Sequence, residues 1–224
     1  MIAESGALLT TADGVTLEAR VAVPASPRAG LVACHPHPLY GGDMDNPVVV
    51  RVVEVCGELG FATLRFNFRE VGGSTGTHGE GRAETQDVEA ALAHLRGTLG
   101  PGRPLALAGY SFGAVVASRV ATAGGGLAAL ALIAPPLGLT GEEPFVGLTA
   151  FPGPLLIAAG SQDDYCPRSA LEALARRLPE ATLTMIEGAN HFFFGKLYAL
   201  GEAVEAWAAR NGGGGAESPC RLTG

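Results

Sequence analysis

The sequence predicts an α/β fold: a mostly parallel, doubly wound sheet with an antiparallel hairpin at its amino-terminal edge. Two observations carry this prediction. Short apolar runs alternate with amphipathic helical segments along most of the chain, a pattern typical of parallel strands joined by crossover helices. The chain also begins with two strand-like segments joined at Asp13-Gly14, a common hairpin turn sequence.

The individual elements follow from apolar periodicity and from the residues that interrupt it. Eight short apolar segments are predicted as strands: Leu8–Thr11, Val15–Val23, Ala29–Cys34, Phe61–Phe66, Leu105–Ala108, Leu127–Ala134, Pro154–Ala159 and Thr182–Ile186. Five segments are predicted as helices: Pro47–Leu59, Glu84–Leu99, Ala114–Ala123, Leu171–Leu178 and Lys196–Arg210. Asn46 and Pro47 suit the start of the first helix and Gly60 its end, because asparagine caps helix amino termini and glycine ends helices.

Length and composition fit one folded domain. Residues 1–210 of the 224 are predicted as a single domain, and the glycine-rich stretch 211–224 as a flexible tail. Hydrophobic residues make up 47% of the chain and charged residues 17%, which provides enough apolar side chains for a sizeable core. The net charge of −7 argues against a nucleic-acid-binding surface and against a polybasic membrane patch.

The cysteines and the amino terminus predict a cytoplasmic protein. Cys34, Cys56, Cys166 and Cys220 show no C-x-x-C pair and no disulfide-framework spacing, so we expect reduced thiols. Residues 1–10 lack the basic and apolar regions of a signal peptide, and no apolar run is long enough for a membrane span. The sequence leaves a homodimer open.

The stretch that points to chemistry is Gly109-Tyr110-Ser111-Phe112-Gly113. It lies between a predicted strand and a predicted helix, where G-x-S-x-G forms the tight turn called a nucleophile elbow. Glycines flank the serine because a Cβ at either position would clash in so tight a turn. We therefore predict that Ser111 is a nucleophile at the end of its strand, with the N–H of Phe112 as one donor to an oxyanion.

A serine hydroxyl needs a base to act as a nucleophile, and the base needs an orienting partner. His191 follows the last predicted strand, and Asp163 follows the strand before it. Because active-site groups of parallel sheets lie beyond the carboxyl ends of the strands, the topology brings Ser111, Asp163 and His191 to the same edge. From the residues alone, Asp164 is an alternative to Asp163.

The chain resembles the α/β-hydrolase superfamily over residues 1–210, and within it small bacterial serine hydrolases related to dienelactone hydrolases. The resemblance rests on these stretches: Cys34–Gly42 with Met44–Asn46, Arg65–Arg69, Gly109–Gly113, Gly160–Pro167 and Ala189–Phe193. It implies an α/β-hydrolase fold and an esterase with a Ser–His–Asp triad, in which Asp163 is favoured. The chain departs from the pattern at two positions. Dienelactone hydrolases have a cysteine where this chain has Ser111, and relatives usually have glycine where it has Glu70.

The second oxyanion donor is expected from the loop after the third strand. Pro36 and Pro38 lack an N–H, so His37 is the candidate at the front of this loop. Leu39 and Tyr40 are the alternatives if the loop folds further over.

The segment after the sixth strand, 135–153, is too short for a lid domain. This predicts an open site for short or medium acyl chains. Leu39 and Tyr40 are expected at the substrate pocket. The large apolar residues of the 135–153 segment are expected to line the acyl pocket: Phe145, Val146, Leu148 and Phe151.

The other polar residues near the motifs are predicted to be structural. His35 and His37 form an H-x-H pair without an identifiable third ligand, so we predict no metal site. His35 is expected to hydrogen-bond to the backbone and support its loop. His78 is expected at the solvated surface, and Glu84 and Asp87 at the start of a helix, where carboxylates suit the dipole.

Together these residues predict a serine hydrolase that cleaves carboxylic esters of short to medium acyl chains through an acyl-enzyme on Ser111. It would need no cofactor, and its partner would be a small-molecule ester. Thioesterase, acyltransferase and amidase activities are alternatives, because one acyl-enzyme serves them all. A third hypothesis is a non-catalytic scaffold on a hydrolase fold, since fold does not determine function.

Overall fold

The computed structural model describes residues 2–211, so residues 212–224 of the predicted tail and Cys220 lie outside the described residues. One sheet contains eight strands in the described chain: β1 Ser5–Thr10, β2 Thr16–Ala22, β3 Ala29–Cys34, β4 Phe61–Phe66, β5 Leu105–Tyr110, β6 Ala129–Ile133, β7 Leu155–Gly160 and β8 Ala181–Ile186. Their spatial order is β1-β2-β4-β3-β5-β6-β7-β8. β2 pairs antiparallel with both β1 and β4, and all other neighbours are parallel.

Helices cover both faces of this sheet. Those in the described residues are α1 Pro47–Glu58, α2 Glu84–Leu99, α3 Phe112–Thr122, α4 Leu137–Thr140, α5 Arg168–Arg177 and α6 Leu197–Asn211. α1 packs with α6, and α2 packs with α3, while α1 and α2 both contact β3 and β4. The two helix pairs therefore lie on opposite faces, which confirms the predicted doubly wound α/β class.

Burial explains why the central strands are recognisable in the sequence. Every residue of β3, β4, β5, β6 and β7 is buried, as expected for strands of a parallel sheet covered on both faces. The edge strand β1 is mostly exposed. Because the strand is exposed, its first residues show no apolar pattern. The strand begins at Ser5 rather than at the predicted Leu8.

The start and end of α1 have the predicted chemistry. Asn46 Oδ1 accepts a hydrogen bond from the backbone N–H of Val48 at 3.0 Å, and Pro47 occupies the first helical position. Gly60 follows the helix with a φ of 82°, a conformation that glycine adopts at little cost. The Asn46 hydrogen bond and the Gly60 conformation confirm the predicted start and end of this helix.

The segment 135–153 packs along α3. Ser118 Oγ in α3 donates a hydrogen bond to the carbonyl of Pro144 at 2.9 Å. A Cβ on Gly153 would lie 2.3 Å from the carbonyl oxygen of Ala128, just before β6 begins. The segment thus runs from the carboxyl end of β6 back to the amino end of the sheet. In the described chain it holds only α4 and the 3₁₀ helix Glu143–Ala150, so there is no lid domain.

Two smaller findings bear on the remaining expectations. Among residues 2–211, no helix combines the length and the apolar character needed to cross a bilayer. Cys34, Cys56 and Cys166 are buried, and none of the three is in a disulfide bond in the described residues.

Candidate active site

Ser111 lies in a strained turn between β5 and α3. Its φ of 54° and ψ of −115° are rarely adopted by residues with a side chain, and they cost about 1–3 kcal/mol where packing enforces them. A Cβ on Gly109 would lie 2.2 Å from the carbonyl oxygen of Gly113, and one on Gly113 would lie 2.6 Å from that of Cys34. The sequence G-x-S-x-G therefore forms the predicted elbow, and both of its glycines are required.

The structure brings Ser111, His191 and Asp163 together in a hydrogen-bonded chain. His191 Nε2 lies 2.9 Å from Ser111 Oγ, and His191 Nδ1 lies 2.8 Å from Asp163 Oδ2. The side chain of Asp163 is fully buried, whereas Asp164 is exposed. Of the two candidate acids, it is thus Asp163 that contacts the imidazole.

The second carboxylate oxygen of Asp163 is also occupied. Asp163 Oδ1 accepts a hydrogen bond from the N–H of Tyr165 at 2.9 Å. Cys166 lies beside this carboxylate and donates its thiol hydrogen to the carbonyl of Pro135 at 3.0 Å. Burial, together with the Asp163 charge, raises the pKa of Cys166 well above its usual value, so the thiol stays protonated.

Asp163, Cys166 and His191 are residue types that can bind a metal, and their side-chain ligand atoms lie within 4.8 Å of one another. Their environment favours a different role. His191 Nδ1 and Asp163 Oδ2 already hydrogen-bond to each other. A metal would also need a thiolate, whereas the pKa of Cys166 is raised. The donor set therefore does not fit a metal site.

Tyr110, which sequence reasoning missed, anchors the loop that carries His191. Its buried hydroxyl donates a hydrogen bond to the backbone carbonyl of His191 at 2.9 Å, and its ring lies 5.7 Å from the imidazole. A tyrosine before the elbow serine is visible in the sequence, but its partner 81 residues away is not. Tyr110 thus couples the position of His191 to β5, the strand that leads into Ser111.

His35 supports the loop after β3, as predicted. It is fully buried, and its Nε2 accepts a hydrogen bond from the N–H of Phe68 at 3.0 Å. The proton therefore sits on Nδ1, which donates to the carbonyl of Pro36 at 2.6 Å. Burial lowers the pKa of His35 to about 4, so the ring is neutral near pH 7 and ties this loop to the end of β4.

The same loop leaves one of its three candidate oxyanion donors unused. The N–H of Leu39 donates to His37 Nδ1 at 3.2 Å, and that of Tyr40 donates to the His37 carbonyl at 3.1 Å. Within residues 2–211 no acceptor pairs with the N–H of His37 or with that of Phe112. The rings of these two residues lie 4.8 Å apart, so the two unpaired donors belong to adjacent residues of the site.

His78 was predicted at the solvated surface, and this prediction is wrong. Its side chain is only 9% exposed, with Nδ1 2.9 Å from Glu84 Oε1, and its ring lies 5.1 Å from that of His37. Buried Glu84 accepts hydrogen bonds from the N–H groups of Gly79 and Gly81. The glycine-rich loop therefore folds back onto the start of α2. Burial and the neighbouring His78 lower the pKa of His37.

The structure also contradicts the prediction that the large apolar residues of the 135–153 segment line an acyl pocket. Phe145 is fully buried and Leu148 nearly so, because the segment packs on α3. Phe151 lies beside Gly153, at the amino end of the sheet and opposite to Ser111. Val146 is exposed on the outside of this segment. A short apolar segment suits both a pocket and a core, and here it belongs to the core.

Exposed aromatic and aliphatic side chains border the site instead. Leu39 and Tyr40 are 62% and 86% exposed on the loop after β3, and the Tyr40 ring lies 4.7 Å from that of His37. The rings of Tyr165 and Phe192 stand 4.9 and 5.6 Å from the His191 ring. The sequence placed Leu39 and Tyr40 at the pocket but did not single out Tyr165 or Phe192.

Comparison with known proteins agrees with this architecture. Residues 31–203 match a family model described as an alpha/beta hydrolase domain. An alpha-beta serine hydrolase homologue from Coxiella burnetii is 34% identical, with a TM-score of 0.82, over 92% of this chain and 97% of that one. A protein from Xanthomonas campestris, described as an a/b serine hydrolase without lid, is 32% identical with a TM-score of 0.82, over 92% and 94% of the chains.

A third structure, a putative alpha/beta hydrolase of unknown function from Agrobacterium tumefaciens, is 30% identical with a TM-score of 0.84 and covers 92% of this chain and 95% of its own. The narrower resemblance to dienelactone hydrolases stays a prediction. The match to the family model extends over most of the chain, and the sheet order, the elbow and the lidless connection after β6 agree with it. The chain therefore belongs to the alpha/beta hydrolase family.

Proposed function

We propose that this protein is a serine hydrolase that cleaves carboxylic esters of short to medium acyl chains, with Ser111, His191 and Asp163 as its catalytic triad. The observation that carries the proposal is the hydrogen-bonded chain from Ser111 Oγ through both imidazole nitrogens to a buried carboxylate. A strained serine at a strand end has no structural need of this arrangement, whereas acyl transfer requires it. The Coxiella protein is described as a serine hydrolase homologue and the Xanthomonas protein as a serine hydrolase, which supports the same chemistry.

In the acylation step, Ser111 Oγ attacks the acyl carbon while His191 Nε2 takes the hydroxyl proton. Asp163 holds the imidazole in the tautomer with the proton on Nδ1 and stabilises the imidazolium that forms. The tetrahedral intermediate then collapses, the bond from the acyl carbon to the alcohol oxygen breaks, and His191 Nε2 gives its proton to that oxygen. The products of this step are a free alcohol and an acyl-Ser111 ester.

Negative charge develops on the carbonyl oxygen in the intermediate, and it needs preorganised donors. We assign this role to the N–H groups of Phe112 and His37. Both lack an acceptor in the described part of the chain. Leu39 and Tyr40 are less suited to this role, because their N–H groups already hydrogen-bond within their own turn.

Deacylation repeats the same steps with water in place of the serine. His191 takes a proton from water as the water oxygen attacks the acyl carbon, and the intermediate collapses to a carboxylic acid while the proton returns to Ser111 Oγ. These steps use only side chains, backbone amides and water, so the proposal includes no cofactor. The lidless connection after β6 leaves the site open, which suits small ester substrates.

Hydrolysis of p-nitrophenyl acetate, butyrate and octanoate tests the proposal. The expected result is turnover that falls at the longest chain, and loss of that turnover in Ser111→Ala. Ser169→Ala is the matched control, because Ser169 is exposed at the start of α5. Absence of turnover in the wild type, or turnover retained by Ser111→Ala, would overturn the proposal. Acetyl thioesters and amides run in parallel would show whether esters are the preferred class.

A further inference from the structure

Two exposed aromatic rings stand against the imidazole of His191. Tyr165 is 40% exposed and Phe192 is 54% exposed. Each ring is nearly perpendicular to the His191 ring, at 87°, with centroid distances of 4.9 and 5.6 Å. In the described residues no ring contact joins Tyr165 to Phe192, so each ring meets the imidazole independently.

The backbone holds both rings in place. The N–H of Tyr165 donates to Asp163 Oδ1 at 2.9 Å, and the carbonyl of Tyr165 accepts from the N–H of Gly138 at 2.8 Å. The N–H of Phe192 donates to Asn190 Oδ1 at 3.1 Å. Two aromatic side chains are thus left partly exposed beside the proposed catalytic base, rather than packed into the core.

The chemistry proposed for His191 determines which part of a substrate meets these rings. His191 Nε2 must give its proton to the alcohol oxygen as the bond from that oxygen to the acyl carbon breaks. The alcohol oxygen therefore lies within hydrogen-bond distance of Nε2, about 3 Å. Any group attached to that oxygen extends from the imidazole into the mouth of the site, which Tyr165 and Phe192 border.

The carbonyl oxygen of the substrate meets a different set of side chains. The oxyanion donors of Phe112 and His37 lie in a separate ring cluster, which also contains His78 and Tyr40. No ring contact links this cluster to the rings around His191 in the described chain. The site thus has one ring cluster at the oxyanion donors, which includes two histidines, and a second cluster at the base.

We propose that Tyr165 and Phe192 form the leaving-group subsite, and that the enzyme prefers esters whose alcohol part is aromatic or bulky and apolar over esters of small alcohols. This inference rests on the proposed esterase function. Contact with an aromatic ring is worth roughly threefold to tenfold in kcat/KM for each side chain. The preference resides in the alcohol and not in the acyl group.

Benzyl acetate and ethyl acetate provide the test, because both release the same acyl group and an alkyl alcohol. The wild type is expected to have the higher kcat/KM for benzyl acetate. In Tyr165→Ala and in Phe192→Ala, the ratio of kcat/KM for benzyl to ethyl acetate is expected to fall roughly threefold to tenfold. Tyr165→Phe keeps the ring and should keep the ratio. Tyr198→Ala, which removes an exposed aromatic side chain on α6, should leave the ratio unchanged.

The outcomes separate this inference from the function on which it rests. A wild type that hydrolyses neither these esters nor p-nitrophenyl acetate overturns the esterase function, and the subsite with it. A wild type that hydrolyses only p-nitrophenyl acetate overturns the subsite alone. A wild type that hydrolyses both with the same kcat/KM overturns only the subsite. Equal losses for both esters in the alanine variants would also overturn the subsite, because they would assign Tyr165 and Phe192 a role in holding Asp163 and His191. We expect the variants to leave the ratio of kcat/KM for ethyl acetate to ethyl butyrate unchanged. That result would show that the preference lies in the alcohol and not in the acyl group.

Discussion

Gly160 at the end of β7 lies directly against Ala189 in the loop after β8. A Cβ on Gly160 would come within 2.2 Å of the carbonyl oxygen of Ala189. Asp163 follows Gly160 by three positions, and His191 follows Ala189 by two. The distance between the proposed acid and base thus depends on a backbone-to-backbone approach that only glycine allows.

Gly160→Ala is therefore expected to separate the two loops and lengthen the hydrogen bond between Asp163 and His191. Misplacement by about 1 Å costs on the order of a hundredfold in rate, so we predict a fall of that size in kcat/KM for p-nitrophenyl acetate. Gly57→Ala in α1 is the matched control, because a Cβ there meets nothing within 4 Å. The control should keep full activity and raise stability by about 0.5–1 kcal/mol. Equal activity in the two variants would contradict the prediction.

Equivalent substitutions of Asp163 and Asp164 test which of these neighbouring carboxylates orients His191. Asp163→Asn removes the charge that orients and stabilises the His191 imidazole and is expected to lower kcat by about 10³- to 10⁴-fold. Asp164→Asn changes an exposed carboxylate and should change kcat less than about twofold. Steady-state kinetics on p-nitrophenyl acetate measure both. A larger loss in Asp164→Asn than in Asp163→Asn would reverse the assignment.

Tyr110 is expected to act through the position of His191. Tyr110→Phe removes the hydroxyl that donates to the His191 carbonyl and leaves a buried acceptor unpaired, which costs about 1–3 kcal/mol. We predict lower stability to urea and a kcat reduced by about tenfold, with KM little changed. Tyr198→Phe serves as the control, since Tyr198 is exposed on α6. If Tyr110→Phe loses stability but keeps its kcat, then Tyr110 holds the fold and not the base.

The buried His35 makes stability depend on pH. Its pKa is about 4 in the folded protein and about 6.5 in the unfolded chain, so the unfolded chain takes up the proton first as the pH falls. The contribution of neutral His35 is therefore complete above pH 6.5 and is lost between pH 6.5 and 4. At about 1.4 kcal/mol per pH unit, this loss is about 2 kcal/mol between pH 7.5 and 5.

Urea unfolding at pH 7.5 and 5 measures this contribution. Other groups titrate over the same range, so the quantity of interest is the difference between the wild type and His35→Gln, whose side chain can accept from Phe68 without gaining a charge. The variant should lose about 2 kcal/mol less than the wild type on acidification. The same loss in both proteins would exclude His35 as the source.

The sequence predicted the sheet and the proximity of Ser111, Asp163 and His191, because both follow from the order and the direction of the strands. Apolar runs identify the central strands, and a parallel topology brings the ends of β5, β7 and β8 to one edge. Ser111, Asp163 and His191 each follow one of these strands directly. The bounds were less accurate: β5 continues to Tyr110 because it pairs with β6 as far as Ile133, although Gly109 suggests a turn.

The walls of the site could not be predicted in the same way. Phe145 and Phe151 are large apolar side chains of the kind that line pockets. They are buried instead, because the 135–153 segment packs along α3. His78 has no apolar neighbours in the sequence, and it is buried only because its loop folds back onto Glu84. Tyr165 and Phe192 border His191 through tertiary contacts. No local pattern encodes such packing.

Trapping of the acyl-enzyme tests the central claim most directly. The protein is mixed with p-nitrophenyl acetate, quenched in acid within the first turnovers and digested for mass spectrometry. We predict one acetyl group on the peptide that carries Ser111, and none on that peptide in Ser111→Ala or in His191→Ala, which lacks the base. Acetylation at another residue with Ser111 unmodified, or catalytic turnover that persists in Ser111→Ala, would contradict the account.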